Sequence, residues 1–193
     1  MKEVDDKKED NNNVVKKNKI KKITLQGISK KIAAGKTVKL TASISPTNAT
    51  NKKLQWKSSN TKYATVSQSG KVTLKKAGAG KKVTITAYAT DGSRAKVSYT
   101  ISIKKHSVKS IQLKAKNTTI KNGKTTQISA TIKTTGKDAN KTLTWSSSNK
   151  KYAVVNSKGK VTTKKAGKGK KVKITAYATD GTGKKASVTI KIK

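Results

Sequence analysis

The chain has 193 residues, with 47 Lys and Arg against 8 Asp and Glu, for a formal net charge of +39. Cysteine is absent and histidine occurs once, which excludes disulfides, thiolate metal sites and cysteine nucleophiles and leaves no set of transition-metal ligands. Apolar residues are 32% of the chain, thin for a globular core, and no run approaches the ~18 apolar residues of a membrane span.

Residues 1–19 hold five of the eight acids (Glu3, Asp5, Asp6, Glu9, Asp10) and have no hydrophobic period, so they read as a flexible charged tail or linker. No apolar run follows Met1-Lys2, so this start carries no signal peptide, and the expectation is that one has been removed. From residue 20 the period becomes two. Strands are predicted near 20–26, 36–45, 53–58, 63–67, 71–75, 81–89 and 94–103. Val38, Leu40, Ala42 and Ile44 alternate with Lys39, Thr41 and Ser43, and Val83, Ile85, Ala87 and Ala89 do the same. Such alternation marks half-buried strands of a two-sheet core, and a thin sandwich needs only one apolar face per strand. Turn signals separate the runs: Ala34-Gly35, Ser69-Gly70, Ala77-Gly78 with Gly80, and Asp91-Gly92, the last read as the hairpin turn joining the final two strands.

The pattern then repeats. Leu54–Gly92 aligns without a gap to Leu143–Gly181 at an offset of 89 residues. Ile23, Leu25, Ile32, Gly35, Leu40 and Ile44 match Ile111, Leu113, Ile120, Gly123, Ile128 and Ile132 at an offset of 88, so one residue is inserted ahead of the Trp strand. A period of this length suits an independent small domain. The expected architecture is all-β: two tandem Ig-like Greek-key β-sandwich domains of about seven strands each, over 20–104 and 108–193, joined by a short linker at 105–107.

The residues that recur also carry a family resemblance. Each repeat resembles the group 2 bacterial Ig-like domain of intimin- and invasin-like adhesins and other bacterial surface proteins. The first has an Ile-x-Leu opening, Gly35, then Pro46 with Thr50 and Asn51. These are followed by Trp56-x-Ser58-Ser59-Asn60, Ala64-x-Val66, Gly70-x-Val72 and Ile85-Thr86-Ala87. The second carries Gly123, Trp145-x-Ser147-Ser148-Asn149, Ala153-x-Val155, Gly159-x-Val161 and Ile174-Thr175-Ala176, and departs where Thr134 replaces Pro46. The resemblance covers roughly 20–193. It implies a structural or adhesive module outside the cell, with no common ligand and no catalysis.

Candidate sites follow from residue type. Trp56 and Trp145 share parity with Leu54 and Leu143, so they are read as structural core rather than sugar-stacking platforms. Tyr88 and Tyr177 fall out of phase with the apolar positions and are expected on the solvent side, open to a glycan or a neighbouring domain. Lys75, Lys76, Lys81 and Lys82, and their counterparts Lys164, Lys165, Lys170 and Lys171, cluster around one loop per domain and are the candidate polyanion-binding residues. The same lysines also serve solubility and keep strands from pairing between molecules. His106 reads as a solvated linker residue, and Asp91 and Asp180 as turn residues. Calcium binding and an isopeptide crosslink lack the acids they need. Gly78-Ala79-Gly80-Lys81 and Gly167-Lys168-Gly169-Lys170 lack phosphate-loop spacing and read as turns.

The expected protein is therefore not an enzyme, takes no cofactor, does not insert in a membrane and is monomeric. Its expected partners are an anionic cell-wall polymer, an acidic glycan or a host surface. One Arg and no Phe disfavour specific nucleic-acid recognition.

Overall fold

The computed structural model describes residues 17–193, so the expected tail lies outside the described residues up to residue 16. Domain 1 contains β1 (Lys22–Gln26), β2 (Lys31–Ala33), β3 (Thr37–Lys39), β4 (Thr41–Ser45), β5 (Leu54–Ser58), β6 (Ala64–Val66), β7 (Lys71–Leu74), β8 (Lys82–Ala89) and β9 (Lys96–Lys104). Domain 2 contains β10 (Val108–Ala115), β11 (Thr119–Ile120), β12 (Thr125–Thr134), β13 (Leu143–Ser147), β14 (Ala153–Val155), β15 (Lys160–Thr163), β16 (Lys171–Ala178) and β17 (Lys185–Ile192).

In domain 2 one sheet has the order β10-β12-β15-β14 and the other β11-β17-β16-β13. Domain 1 repeats this arrangement as β2-β9-β8-β5 facing β1-β4 and β3-β7-β6. The first sheet is split because the strand predicted over 36–45 breaks at Leu40. The Leu40 amide donates to the Gly70 carbonyl at 2.9 Å, as Ile128 does to Gly159 at 3.0 Å.

Two elements differ from the sequence reading. Short strands β2 and β11 pair in parallel with the last strand of their domain, Ile32 opposite Ile103 and Ile120 opposite Ile192. The Asp-Gly hairpin also has a longer loop than the gap between the strands predicted near 81–89 and 94–103. The loop runs from Thr90 to Ala95, closed by the Ala89 amide on the Ala95 carbonyl at 2.8 Å.

Alternation puts one face of each strand inward. In domain 1 this gathers Ile32, Leu40, Val72, Leu74, Val83, Ile85, Ile101 and Ile103 into a core, with Trp56 and Tyr63 packed against it half-buried. Domain 2 builds the same core from Ile120, Ile128, Val161, Val172, Ile174, Ile190 and Ile192, with Trp145 and Tyr152 against it. A second, smaller cluster caps the N-terminal end of each sandwich: Ile20, Ile23 and Ala49 in one, Val108, Ile111 and Ala178 in the other.

Gly70 explains how the indole sits. It adopts φ +78°, and a Cβ there would lie 2.5 Å from the Leu40 carbonyl oxygen and 3.1 Å from Trp56 Cζ2. Gly159 repeats this against Ile128 and Trp145. The indole edge therefore lies directly on bare backbone. Gly70→Ala is expected to destabilise domain 1 by about 2–3 kcal/mol, from backbone strain plus displacement of the ring. Urea denaturation in a Trp145→Phe background, where Trp56 fluorescence alone reports, measures it; an unchanged midpoint would refute the packing argument.

Candidate functional site: the lysine loops, the aromatic positions and the domain junction

The lysine loops are built identically in the two domains. After β7 the Lys75 amide donates to the Tyr63 carbonyl (2.8 Å), a single 3-10 turn spans Lys76–Gly78, and the Gly80 amide donates to Ile103 (2.8 Å). After β15, Lys164 donates to Tyr152 (2.8 Å), the 3-10 turn spans Lys165–Gly167, and Gly169 donates to Ile192 (2.9 Å). Gly78 and Gly167 are buried beneath Tyr63 and Tyr152, so the glycines serve close packing. Backbone bonds hold each loop, and its side chains are left outside. All eight candidate lysines are exposed.

Tyr88 sits in register with Gln55 and Lys96 on the outer face of its sheet, half-buried, and Tyr177 with Thr144 and Lys185, 37% exposed. Trp56 is half-buried rather than enclosed. It lines an open groove of about 980 Å³ between β4 and β5, with Leu40, Gln55 and Gln68 beside it and Lys39, Lys52 and Lys53 at the rim.

The acids take roles that residue type alone did not reveal. Asp91 was read as a turn residue only, yet its carboxylate reaches across the domain to accept the Ile20 amide at 2.5 Å and also accepts from the Ser93 amide at 2.9 Å. Asp180 does the same for Val108, at 2.6 Å, and accepts from the amide and hydroxyl of Thr182. These bonds close the N-terminal cap of each sandwich. Asp180 is fully buried.

His106 is held rather than free in solvent. Its Nδ1 lies 2.6 Å from Asp138 Oδ1, and Asp138 also accepts from the amides of Lys105 (3.1 Å) and His106 (3.0 Å). Partial burial pushes the Asp138 pKa up. The hydrogen bonds from the His106 ring and these amides outweigh that effect and leave it below the usual carboxylate value.

The two domains touch directly. The Asp180 carbonyl accepts the Ala33 amide (2.9 Å), and Asn140 Nδ2 reaches Lys31 O (2.9 Å), Ser29 Oγ (3.1 Å) and Thr179 Oγ1 (3.1 Å). Among the described residues the one ion pair is His106–Asp138. No group of three or more His, Cys, Asp or Glu comes together there, and no helix is long and apolar enough to cross a membrane.

The family model for the group 2 bacterial Ig-like domain matches residues 19–100 and again 107–190. The chain belongs to that family. It is 35% identical over 168 residues to an uncharacterized protein of Clostridium acetobutylicum, spanning 87% of this chain but only 16% of that protein. Among solved structures, the S-layer protein rSbsC(31-844) is similar over 92% of this chain and 28% of its own, at TM-score 0.38 and 14% identity. An EHEC O157:H7 intimin mutant is similar over 48% and 46%, at TM-score 0.32 and 31% identity. The Yersinia pseudotuberculosis adhesin InvE is similar over 88% and 58%, at TM-score 0.35 and 16% identity.

Two outcomes test the carboxylates. Hydrogen bonds, led by that from the Ile20 amide, lower the Asp91 pKa from 3.8 to about 2. A depressed carboxylate stabilises the fold above its unfolded pKa and loses that contribution as pH falls through the folded one. Domain 1 is therefore expected to lose urea resistance between about pH 4 and pH 2, and Asp91→Asn to flatten the slope. Asp180→Ala strands the buried Val108 amide and is expected to cost domain 2 about 1–3 kcal/mol by thermal unfolding. A change within error would show the bond to be dispensable.

Proposed function

We propose that this pair of Ig-like domains is a non-catalytic, extracellular structural and adhesion module whose basic surface attracts anionic polymers of a cell wall or host surface. One observation carries this reading: no lysine of the described residues lies in an ion pair with Asp138, Asp91 or Asp180. All three carboxylates accept backbone amides instead. The lysine loops thus offer charge that no carboxylate of the described residues neutralises. Screening at physiological salt has a range of ~8 Å, so local clusters, rather than the net charge, set the strength of contact. Lys75, Lys76, Lys81 and Lys82, with Lys164, Lys165, Lys170 and Lys171, are the densest such clusters on ordered loops.

The extracellular setting rests on family membership. The absence of an assembled acid–base or nucleophile set among the described residues suits a binding or spacing role. Specific nucleic-acid recognition is not part of the reading, because the chain has one Arg to read base edges and no Phe to stack on bases.

The half-buried Trp56 favours a second reading, in which the β4–β5 groove takes a sugar ring against the indole while Gln55, Gln68 and the rim lysines hold its polar groups. Tyr88 and Tyr177 offer further aromatic surface on the outer faces.

Titration of a teichoic-acid or sulfated-glycan polymer separates these readings. For the first, affinity falls steeply with salt. Replacing Lys75, Lys76, Lys81 and Lys82 with Gln weakens binding by about tenfold or more, at roughly 1 kcal/mol per lysine near an anionic surface before screening. For the second, an oligosaccharide quenches Trp56 fluorescence and binds equally in high salt. Polymer affinity indifferent to both salt and the four substitutions would sink the first.

A further inference from the structure

The domain junction uses surfaces that recur at the N-terminal end of domain 1 and on the β11 edge of domain 2. At the junction, domain 2 presents Asn140, the Asp180 carbonyl and Gly181, and domain 1 receives them on the outer edge of β2. A Cβ on Gly181 would lie 2.9 Å from Ile32 Cγ2 and 3.2 Å from Lys36 Cβ, so the loop seats closely.

The N-terminal end of domain 1 is organised in the same way. Asn51, Thr90, Asp91 and Gly92 stand 89 residues before Asn140, Thr179, Asp180 and Gly181. Asn51 Oδ1 accepts the Lys53 amide (2.9 Å) as Asn140 Oδ1 accepts that of Thr142 (3.1 Å), and Asn51 Nδ2 reaches Thr90 Oγ1 (3.3 Å) as Asn140 Nδ2 reaches Thr179 Oγ1. Thr50 exchanges hydrogen bonds with Asn18 where Asp138 holds His106. A cavity of about 270 Å³ opens among Lys17, Asn18, Lys19, Thr50, Asn51, Thr90 and Asp91. Among the described residues nothing lies within 4 Å of a Cβ on Gly92.

The receiving surface recurs as well. Strand β11 lies parallel to β17 as β2 lies parallel to β9. The amides of Lys191 and Lys193 bond the carbonyls of Thr118 and Ile120, which turns the Thr119 carbonyl and the Lys121 amide outward. These are the counterparts of the Lys31 carbonyl and the Ala33 amide, the two groups that domain 2 engages. Ile120 and Lys124 stand in for Ile32 and Lys36.

We infer that the N-terminal end of domain 1 is a docking surface for the β11 edge of a second copy of this chain, which repeats the internal junction between molecules. Asn51 Nδ2 donates to the Thr119 carbonyl, the Asp91 carbonyl accepts the Lys121 amide, and Gly92 seats against Ile120. The two surfaces differ, so the contact is head-to-tail and does not close. It adds an association at high concentration to a chain that is a monomer when dilute. The surface is short and both copies are strongly basic, so association strengthens as salt screens their repulsion. This is the opposite of the salt dependence in the polyanion reading, on which the inference does not rest, so each can fail without the other.

The test is sedimentation velocity and amide NMR of the full chain from micromolar to millimolar concentration, in low and high salt. The expected result is salt-enhanced growth in mean size, with shifts concentrated at the Asn51 side-chain amide, Gly92, Ile120 and Lys121. Gly92→Asn keeps a residue type that tolerates positive φ and meets open space among the described residues of its own chain. It is expected to leave the thermal midpoint of the chain unchanged and to abolish the growth. A monomer at millimolar concentration in high salt, growth equal in the Gly92→Asn chain, or shifts spread elsewhere would each overturn the inference.

Discussion

A carboxylate at the last hairpin of each domain governs how that domain begins. Asp180 is fully buried, and its Oδ2 takes the Val108 amide at the first residue of β10. That bond fixes where the chain leaves the linker and closes the apolar cap of Val108, Ile111 and Ala178. The carbonyl of the same residue accepts Ala33 from domain 1. One aspartate therefore sets the first strand of its own domain and the seat of the neighbouring one. Asp91 holds Ile20 in the same way, so each sandwich is closed at its N-terminal end by a long-range bond between its last hairpin and its first strand.

This use of carboxylates accounts for the electrostatics of the whole surface. A hydrogen bond to a charged group contributes about 1.5–3 kcal/mol, while an exposed Lys–carboxylate pair contributes about 0–1 kcal/mol. A chain with few acids gains most stability by aiming them at backbone amides, and Asp91, Asp138 and Asp180 all do so. The lysines are consequently left without carboxylate partners among the described residues. Most of their charge faces solvent.

The β-sandwich was legible because burial here follows alternation: Val83, Ile85 and Ala87 are buried, and Thr84 and Thr86 between them are half-buried. The internal repeat gave the domain count, since most core positions recur at an offset of 88 or 89, with Thr126 and Thr163 in place of Val38 and Leu74. What sequence reading missed follows from the physics of short elements. Strand β11 has two residues and β2 three, too few for a period, although the matched Ile32 and Ile120 were a usable signal. The carboxylate bonds span 71 and 72 residues, and local turn chemistry gave Asp91 and Asp180 a sufficient explanation that hid them. Asp138 is another such case. Nothing in a loop sequence says that its carboxylate will face the linker, so His106 looked free. Trp56 and Trp145 pack half-buried against the two cores, and parity does not reveal that the rings lie over glycine backbone, with Trp56 lining an open groove.

The junction and the N-terminal end of domain 1 share a design, and one of the positions at which they differ bears on their relative strength. At the junction Asp138 sits beside the linker, within hydrogen-bond reach of His106 and of the Lys105 amide. Its counterpart at the free end is the neutral Thr50, bonded to Asn18. The receiving end in each case carries a lysine loop: Gly80 packs near Lys105 in domain 1, and Gly169 is tied to Ile192 in domain 2. A carboxylate beside a cationic rim lowers the repulsion that two basic surfaces feel on approach. The covalent junction has that carboxylate and a three-residue linker, which supplies a high effective concentration. The free end has neither, so the same backbone geometry gives a fixed contact within the chain and only a weak, salt-governed one between chains.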